Sequence, residues 1–71
     1  MKLTQKEFEV LGLLCEGKSD EEIDETLYVS ISTIRTHVHN LLTKLHLRNR
    51  TQLVIYALKD REIHFKMYGK I

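Results

Sequence analysis

With 71 residues, of which 42% are hydrophobic and 30% charged, the chain is expected to form one small folded domain over residues 1–71, too small for a deep active-site pocket. No apolar run approaches the ~18 residues that a membrane-spanning helix needs, and no signal peptide is present, so we expect a cytoplasmic protein without a membrane partner. The single cysteine, Cys15, excludes an internal disulfide and is expected to fill the core.

The net charge of +1 conceals an asymmetry between the two halves of the chain. Residues 1–30 hold three lysines and eight acidic residues, a net charge of −5, whereas residues 31–71 hold eight Lys and Arg and two acidic residues, a net charge of +6. Such an asymmetry indicates nucleic-acid binding. Attraction between oppositely charged helices within one fold is the alternative explanation.

The first helix begins at a capping box. Thr4 and Glu7 are three residues apart and precede an apolar run, the spacing at which each side chain reaches the other's backbone N–H. Gly17 is a typical residue just past a helix end. This pattern predicts a helix at about residues 5–16.

A second capping box predicts a short helix at about residues 20–27. Ser19 is followed three residues later by Glu22, and the first turn is acidic. Because the positive end of the helix dipole lies at the N-terminus, it favours these acids there, and the dipole alone accounts for them.

The third helix is predicted at about residues 31–46, with Ser30 rather than Ser32 as its N-cap. At about 100° per residue its apolar residues form one stripe, namely Ile34, Val38, Leu41 and Leu45. The opposite face carries only hydrogen-bonding side chains: Ser32, Arg35, Thr36, His39 and Thr43. Since no Asp or Glu occurs from Ser30 to Lys59, this face is suited to approach an anion.

A fourth helix is predicted at about residues 50–60, capped by Asn49 or Arg50. It is apolar over more than one face, which leaves three side chains for a self-association surface: Val54, Ile55 and Leu58. The alternative is that the C-terminal tail, residues 61–71, covers them. That tail alternates weakly at Ile63, Phe65 and Met67, which fits a short strand, a helix extension or an added dimer element equally well.

A short helix, a link of about three residues and a longer helix with a polar outer face form a helix-turn-helix pattern at about residues 19–46. Over residues 3 to about 60 the chain also resembles the LuxR-type (GerE-like) DNA-binding domain of bacterial transcription regulators. The matching residues are Leu3-Thr4, Glu7, Glu9-Val10-Leu11, Gly17, Ser19, Glu22-Ile23, Val29-Ser30, Thr33-Ile34-Arg35, His37-Val38, Lys44-Leu45 and Arg48-Asn49-Arg50-Thr51-Gln52.

The resemblance implies an all-α, compact four-helix bundle whose third helix enters the DNA major groove and whose fourth helix mediates dimerisation. It places base contacts at Arg35, Thr36 and His39. It places phosphate contacts at or near Ser32, Thr33, Lys44, Arg48, Arg50 and Thr51. The expected dimer interface consists of Val54, Ile55 and Leu58.

These assignments agree with the chemistry of the side chains. Arg35 can pair with the two acceptors of a guanine edge, and Thr36 can offer its methyl group to thymine. Two of the phosphate contacts have alternatives: Arg50 can hold the fourth helix against the core, and the stem of Lys44 can lie over the apolar stripe. Asp24 departs from the family pattern, which has a small residue where the second and third helices approach.

We therefore expect a sequence-specific double-stranded-DNA-binding transcription regulator that acts as a homodimer, with RNA polymerase as a candidate further partner. The alternative is a helical protein-interaction module with little DNA affinity. We expect no enzyme activity, because no catalytic constellation is present. We also expect no cofactor, no small-molecule ligand within this chain and no metal, since His37, His39 and His46 lack further ligands at suitable spacing.

Overall fold

The structure is a computed structural model that describes residues 3–60 and 62–63. Four helices account for most of this part of the chain: α1 Gln5–Cys15, α2 Asp20–Leu27, α3 Ile31–Leu45 and α4 Arg50–Lys59. No strand occurs among the described residues. The predicted all-α, four-helix fold is confirmed, and each predicted boundary is correct to within one residue.

Side-chain caps determine where each helix begins. In α1 the Glu7 amide donates to Thr4 Oγ1 at 3.1 Å while the Thr4 amide donates to Glu7 Oε1 at 2.8 Å, so both halves of the box are present. Ser19 and Glu22 form the equivalent box in α2. The predicted N-cap of α3, Ser30, is confirmed.

The N-cap of α4 is Asn49, which settles the choice between Asn49 and Arg50. Its Oδ1 accepts the Gln52 amide at 2.9 Å, and Oε1 of Gln52 accepts the Arg48 amide at 2.8 Å. The Gln52 side chain therefore fixes the backbone of the loop between α3 and α4.

Three of the connections turn through the left-handed backbone region. Gly17 has φ +83°, which glycine adopts without the clash that a Cβ would cause. Tyr28 and His46 both have φ 57°, which is unfavourable for residues with a side chain. Tyr28, Val29 and Ser30 form the whole link between α2 and α3.

The core lies between α3 and the other three helices, since α3 packs against α1, α2 and α4. Its buried apolar side chains come from every helix and from one residue beyond α4: Val10, Leu11, Leu14, Ile23, Ile34, Val38, Leu41, Leu53, Ala57 and Ile63.

Cys15 is partly buried and packs against this core, as predicted. Burial, with a smaller contribution from the neighbouring Glu16 carboxylate, raises the pKa of its thiol. The group therefore behaves as a small apolar side chain.

The chain returns to the core after α4. Glu62 and Ile63 are helical, and the Ile63 amide donates to Asp60 Oδ1 at 3.0 Å. The Ile63 side chain is 1% exposed. This part of the tail therefore contributes to the core, whereas Phe65 and Met67 lie outside the described residues.

Candidate nucleic-acid interface

The outer face of α3 carries the three side chains predicted to contact bases. Arg35, Thr36 and His39 are exposed, while Ile34 and Leu41 on the opposite face are fully buried. An open depression at the start of this face is lined by Ile31, Ser32, Arg35, Thr36 and His39. The structure thus brings the predicted base contacts together with Ser32 on one surface.

Thr36 presents a defined set of groups on this surface. Its hydroxyl donates to the Ser32 carbonyl oxygen at 3.1 Å. Because a hydroxyl has a single hydrogen, this bond leaves the oxygen lone pairs and the methyl group for a partner. Thr36 can therefore accept a hydrogen bond or make an apolar contact with a thymine methyl group, but it cannot donate without giving up the bond to Ser32.

Arg35 is paired with an acid from another helix. Its Nε lies 3.6 Å from Oδ2 of Asp20, the first residue of α2, and its side chain is 73% exposed. The other oxygen of the same carboxylate, Oδ1, lies 2.6 Å from Nη2 of Arg50. Asp20 therefore joins α2 to α3 and to the start of α4.

This role of Asp20 was not predicted, because the helix dipole by itself accounts for the acids in the first turn of α2. Arg50 bonds Asp20 and so links the first residue of α4 to α2, whereas the alternative prediction had it hold α4 against the core. No short-range spacing relates these residues, so nothing in the sequence itself indicates the pairing.

The first turns of α3 and α4 contain no acidic residue, unlike those of α1 and α2. Ser32 and Thr33 are exposed at the start of α3, Thr51 is exposed at the start of α4, and Arg48 is exposed in the loop just before the α4 N-cap. Since the N-terminus of a helix attracts anions, these two turns are suited to phosphate groups. The Thr33 hydroxyl also lies 2.9 Å from Ser30 Oγ, which positions it.

Lys44 lies near the other end of α3 and is bound within the fold. Its Nζ is 2.7 Å from Oε1 of Glu7, whose residue is 3% exposed. Although burial alone would raise the pKa of Glu7, the hydrogen bonds from Lys44 and Thr4 and the charge of Lys44 together lower it. This partner of Lys44 was not predicted, because 37 residues separate the two side chains in the sequence.

The predicted self-association surface lies on α4. Ile55 and Leu58 are 47% and 51% exposed, and Val54 is partly buried against the core. Tyr28 is the other large apolar residue found exposed in the described part of the chain, at 88%. Two of the three predicted interface side chains are therefore accessible to a partner.

Asp24, which departs from the family pattern, lies partly buried in α2. Its carbonyl oxygen accepts the Tyr28 amide at 2.7 Å, which closes the last turn of the helix. Within residues 3–60 and 62–63 there is no group of three His, Cys, Asp or Glu side chains that could hold a metal ion. No helix in this range is long and apolar enough to cross a membrane.

A short helix, a three-residue turn and a longer helix whose polar face is exposed define a helix-turn-helix domain, the class of fold that binds DNA. The chain matches the family of bacterial regulatory proteins described as the luxR family over residues 1–57. The chain therefore belongs to the luxR family of bacterial regulatory proteins and carries their DNA-binding helix-turn-helix domain.

Two relatives are regulators by name. The chain is 42% identical over 62 residues to the transcriptional regulatory protein LiaR of Bacillus subtilis, and the match covers 87% of this chain. It is 46% identical over 61 residues to the response regulator protein VraR of Staphylococcus aureus, and that match covers 86% of this chain. In both cases the match spans 29% of the relative's length.

Proposed function

We propose that this chain binds double-stranded DNA sequence-specifically, with α3 in the major groove, and regulates transcription in the bacterial cytoplasm. The observation that carries the proposal is the exposed surface of α3, on which Arg35, Thr36 and His39 surround one depression without a carboxylate of their own helix. An α-helix fits the major groove, and these side chains can hydrogen-bond or pack against base edges there.

Phosphate contacts from both ends of this surface complete the proposed interface. Ser32 and Thr33 would contact one phosphate at the start of α3, and Arg48 and Thr51 another at the start of α4. Arg50 has five N–H donors, one of which is used on Asp20. Arg50 can therefore add a phosphate contact without giving up its bond to Asp20, and Lys44 stays a proposed phosphate contact through its charge.

We further propose that two copies associate through α4, using Ile55, Leu58 and the accessible part of Val54. The exposed apolar side chains on α4 support this proposal. Two copies would read paired half-sites, as dimeric helix-turn-helix proteins do. We also propose that residues 1–71 form one domain, and the core that Ile63 shares with the helices supports this as far as Ile63. Contact with RNA polymerase stays a prediction.

The test is selection of bound sequences from random duplexes, followed by fluorescence anisotropy with the selected duplex. We expect Arg35→Ala to weaken binding by about 1–3 kcal/mol and to relax the preference at one base pair. The matched control is Arg48→Ala, which removes the same side chain from a proposed phosphate contact. It should weaken binding equally on all sequences and reduce the salt slope by about one.

Each alternative result has a clear meaning. If the wild-type chain selects no sequence and binds no duplex at low salt, the proposal is wrong and the protein-interaction module is favoured. If Arg35→Ala and Arg48→Ala have the same effect on every sequence, α3 does not read bases through Arg35.

A further inference from the structure

We propose that Asp20 is a specificity-determining residue, which holds the Arg35 guanidinium in the orientation that reads a base. The inference rests on the proposed function. It assigns to the first residue of α2 a part in sequence recognition, although that residue contacts no base itself.

The geometry divides the Asp20 carboxylate between two helices. Oδ1 accepts a short hydrogen bond from Arg50 Nη2, at 2.6 Å, and Oδ2 lies 3.6 Å from Arg35 Nε. The Asp20 side chain is 15% exposed, whereas that of Arg35 is 73% exposed. The carboxylate is therefore held by Arg50 at Oδ1, and Oδ2 is available to restrain a side chain that reaches into solvent.

The contact leaves the reading end of Arg35 available. Asp20 faces the Nε atom, and no other described residue forms an ion pair with this side chain. Two N–H donors are needed to bond O6 and N7 of a guanine, and the terminal Nη groups provide them. A free arginine samples many rotamers, so fixing it before binding lowers the entropy lost when it pairs.

The same carboxylate has an opposite effect on general DNA affinity. A negative charge near the proposed phosphate-binding turns repels the DNA backbone whatever its sequence. Asp20 should therefore weaken non-specific binding while it strengthens discrimination between sequences. An acid with a purely structural role, or a surface charge without a partner, would not both weaken non-specific binding and strengthen discrimination.

The test compares Asp20→Asn with Glu21→Gln. Both substitutions neutralise an acid in the first turn of α2, so the loss of helix-dipole stabilisation is matched, but Glu21 is exposed and forms no ion pair with a described residue. The affinities of wild type and variants are measured for the selected duplex, for duplexes changed at the base pair that Arg35 reads, and for an unrelated duplex.

We expect Asp20→Asn to lower discrimination at that base pair by about 3- to 10-fold, because the Arg35 side chain must then be ordered at the moment of binding. Its affinity for the unrelated duplex should rise. Glu21→Gln should leave the discrimination unchanged. Asp20→Glu, which keeps the charge but moves the carboxylate by one methylene group, should lower discrimination without raising non-specific affinity.

Unchanged discrimination in Asp20→Asn, with a wild-type chain that does select a sequence, overturns the inference and leaves the proposed function intact. A wild-type chain that selects no sequence overturns the proposed function itself. Adding Asp20→Asn to Arg35→Ala should cause no further loss of discrimination, and a further loss would show that Asp20 acts through another residue. Circular dichroism at the assay temperature verifies that each variant is folded.

Discussion

Lys44 Nζ lies 2.7 Å from Oε1 of Glu7, which links the last turn of α3 to the first turn of α1 across 37 residues of sequence. The same Oε1 accepts the Thr4 amide, so one buried carboxylate completes a helix cap and an ion pair. Nearer the start of α3, Arg35 pairs with Asp20 of α2. Acids of the N-terminal half thus pair with α3 at two points, and part of the charge asymmetry of the chain is used within the fold.

Removing Lys44 should destabilise the domain without loss of a core side chain. In Lys44→Ala the buried Glu7 carboxylate loses its cationic partner, and because the lysine is 40% exposed we expect a decrease of about 1–3 kcal/mol in the free energy of unfolding. Urea denaturation monitored by circular dichroism measures it. Lys18→Ala, at an exposed loop position, is the control and should change stability by less than about 0.5 kcal/mol. Equal stability of the two variants would contradict a role for the ion pair.

Glu7 should also make stability depend on pH in the acid range. Its pKa in the folded protein is lowered from the ordinary value of 4.5, so the unfolded chain takes up the proton first. The stabilisation is therefore present above that value and is lost as the pH falls through the folded-state pKa. Denaturation at intervals from about pH 6 to about pH 3 should show a smaller loss of stability in Glu7→Gln than in wild type. Parallel curves would argue against this assignment.

Two serines near the start of α3, Ser30 and Ser32, should separate stability from binding. Ser30 caps α3, with its Oγ accepting the Thr33 amide at 3.1 Å, so Ser30→Ala should cost about 1 kcal/mol of stability. Ser32 is exposed and is a proposed phosphate contact, so Ser32→Ala should leave stability nearly unchanged and weaken binding to all duplexes. Thermal unfolding and anisotropy on the same two variants test both statements. A larger loss of stability in Ser32→Ala would contradict the cap assignment.

Substitutions at two residues in the left-handed backbone region should change stability in opposite directions. Tyr28 is 88% exposed at φ 57°, so Tyr28→Gly should relieve backbone strain and raise stability by up to about 1 kcal/mol. Gly17 has φ +83°, and in Gly17→Ala the added Cβ meets no atom within 4 Å outside its own residue and the two neighbouring residues, so the variant has no packing clash with the rest of the fold. It should still lower stability by about 1 kcal/mol, because only the backbone conformation opposes it. Thermal unfolding of both variants decides whether the two effects have opposite signs.

A substitution on the exposed apolar surface of α4 should change the association of two copies rather than the folding of each. Leu58 is 51% exposed, so Leu58→Gln should leave the monomer folded and raise the dimer dissociation constant about tenfold, as expected for loss of apolar contact area. Lys59→Gln, at the next exposed position, is the control and should not change it. Sedimentation velocity over a concentration series measures the constant. A monomeric wild type at all concentrations, with or without duplex, would refute the proposed dimer.

The sequence by itself determined the helices, because the signals that begin and end them act over three or four residues. The pairs Thr4–Glu7 and Ser19–Glu22, together with Ser30 and Gly17, lie within such distances, and the apolar stripe of α3 repeats at the helical period. The same helical period predicted the exposed polar face of α3 that defines the candidate interface. These features could be predicted without knowing how the helices pack.

Only the tertiary structure decided which charges meet. Arg50 and Lys44 find their acids across 30 and 37 residues, and several acids in residues 1–30 were equally available to each in the sequence. The burial of Ile63 likewise depends on the space that the other helices leave. Contacts of this kind depend on helix crossing and distance, which no local pattern encodes, and for that reason the partners of Asp20 could be identified only in the folded chain.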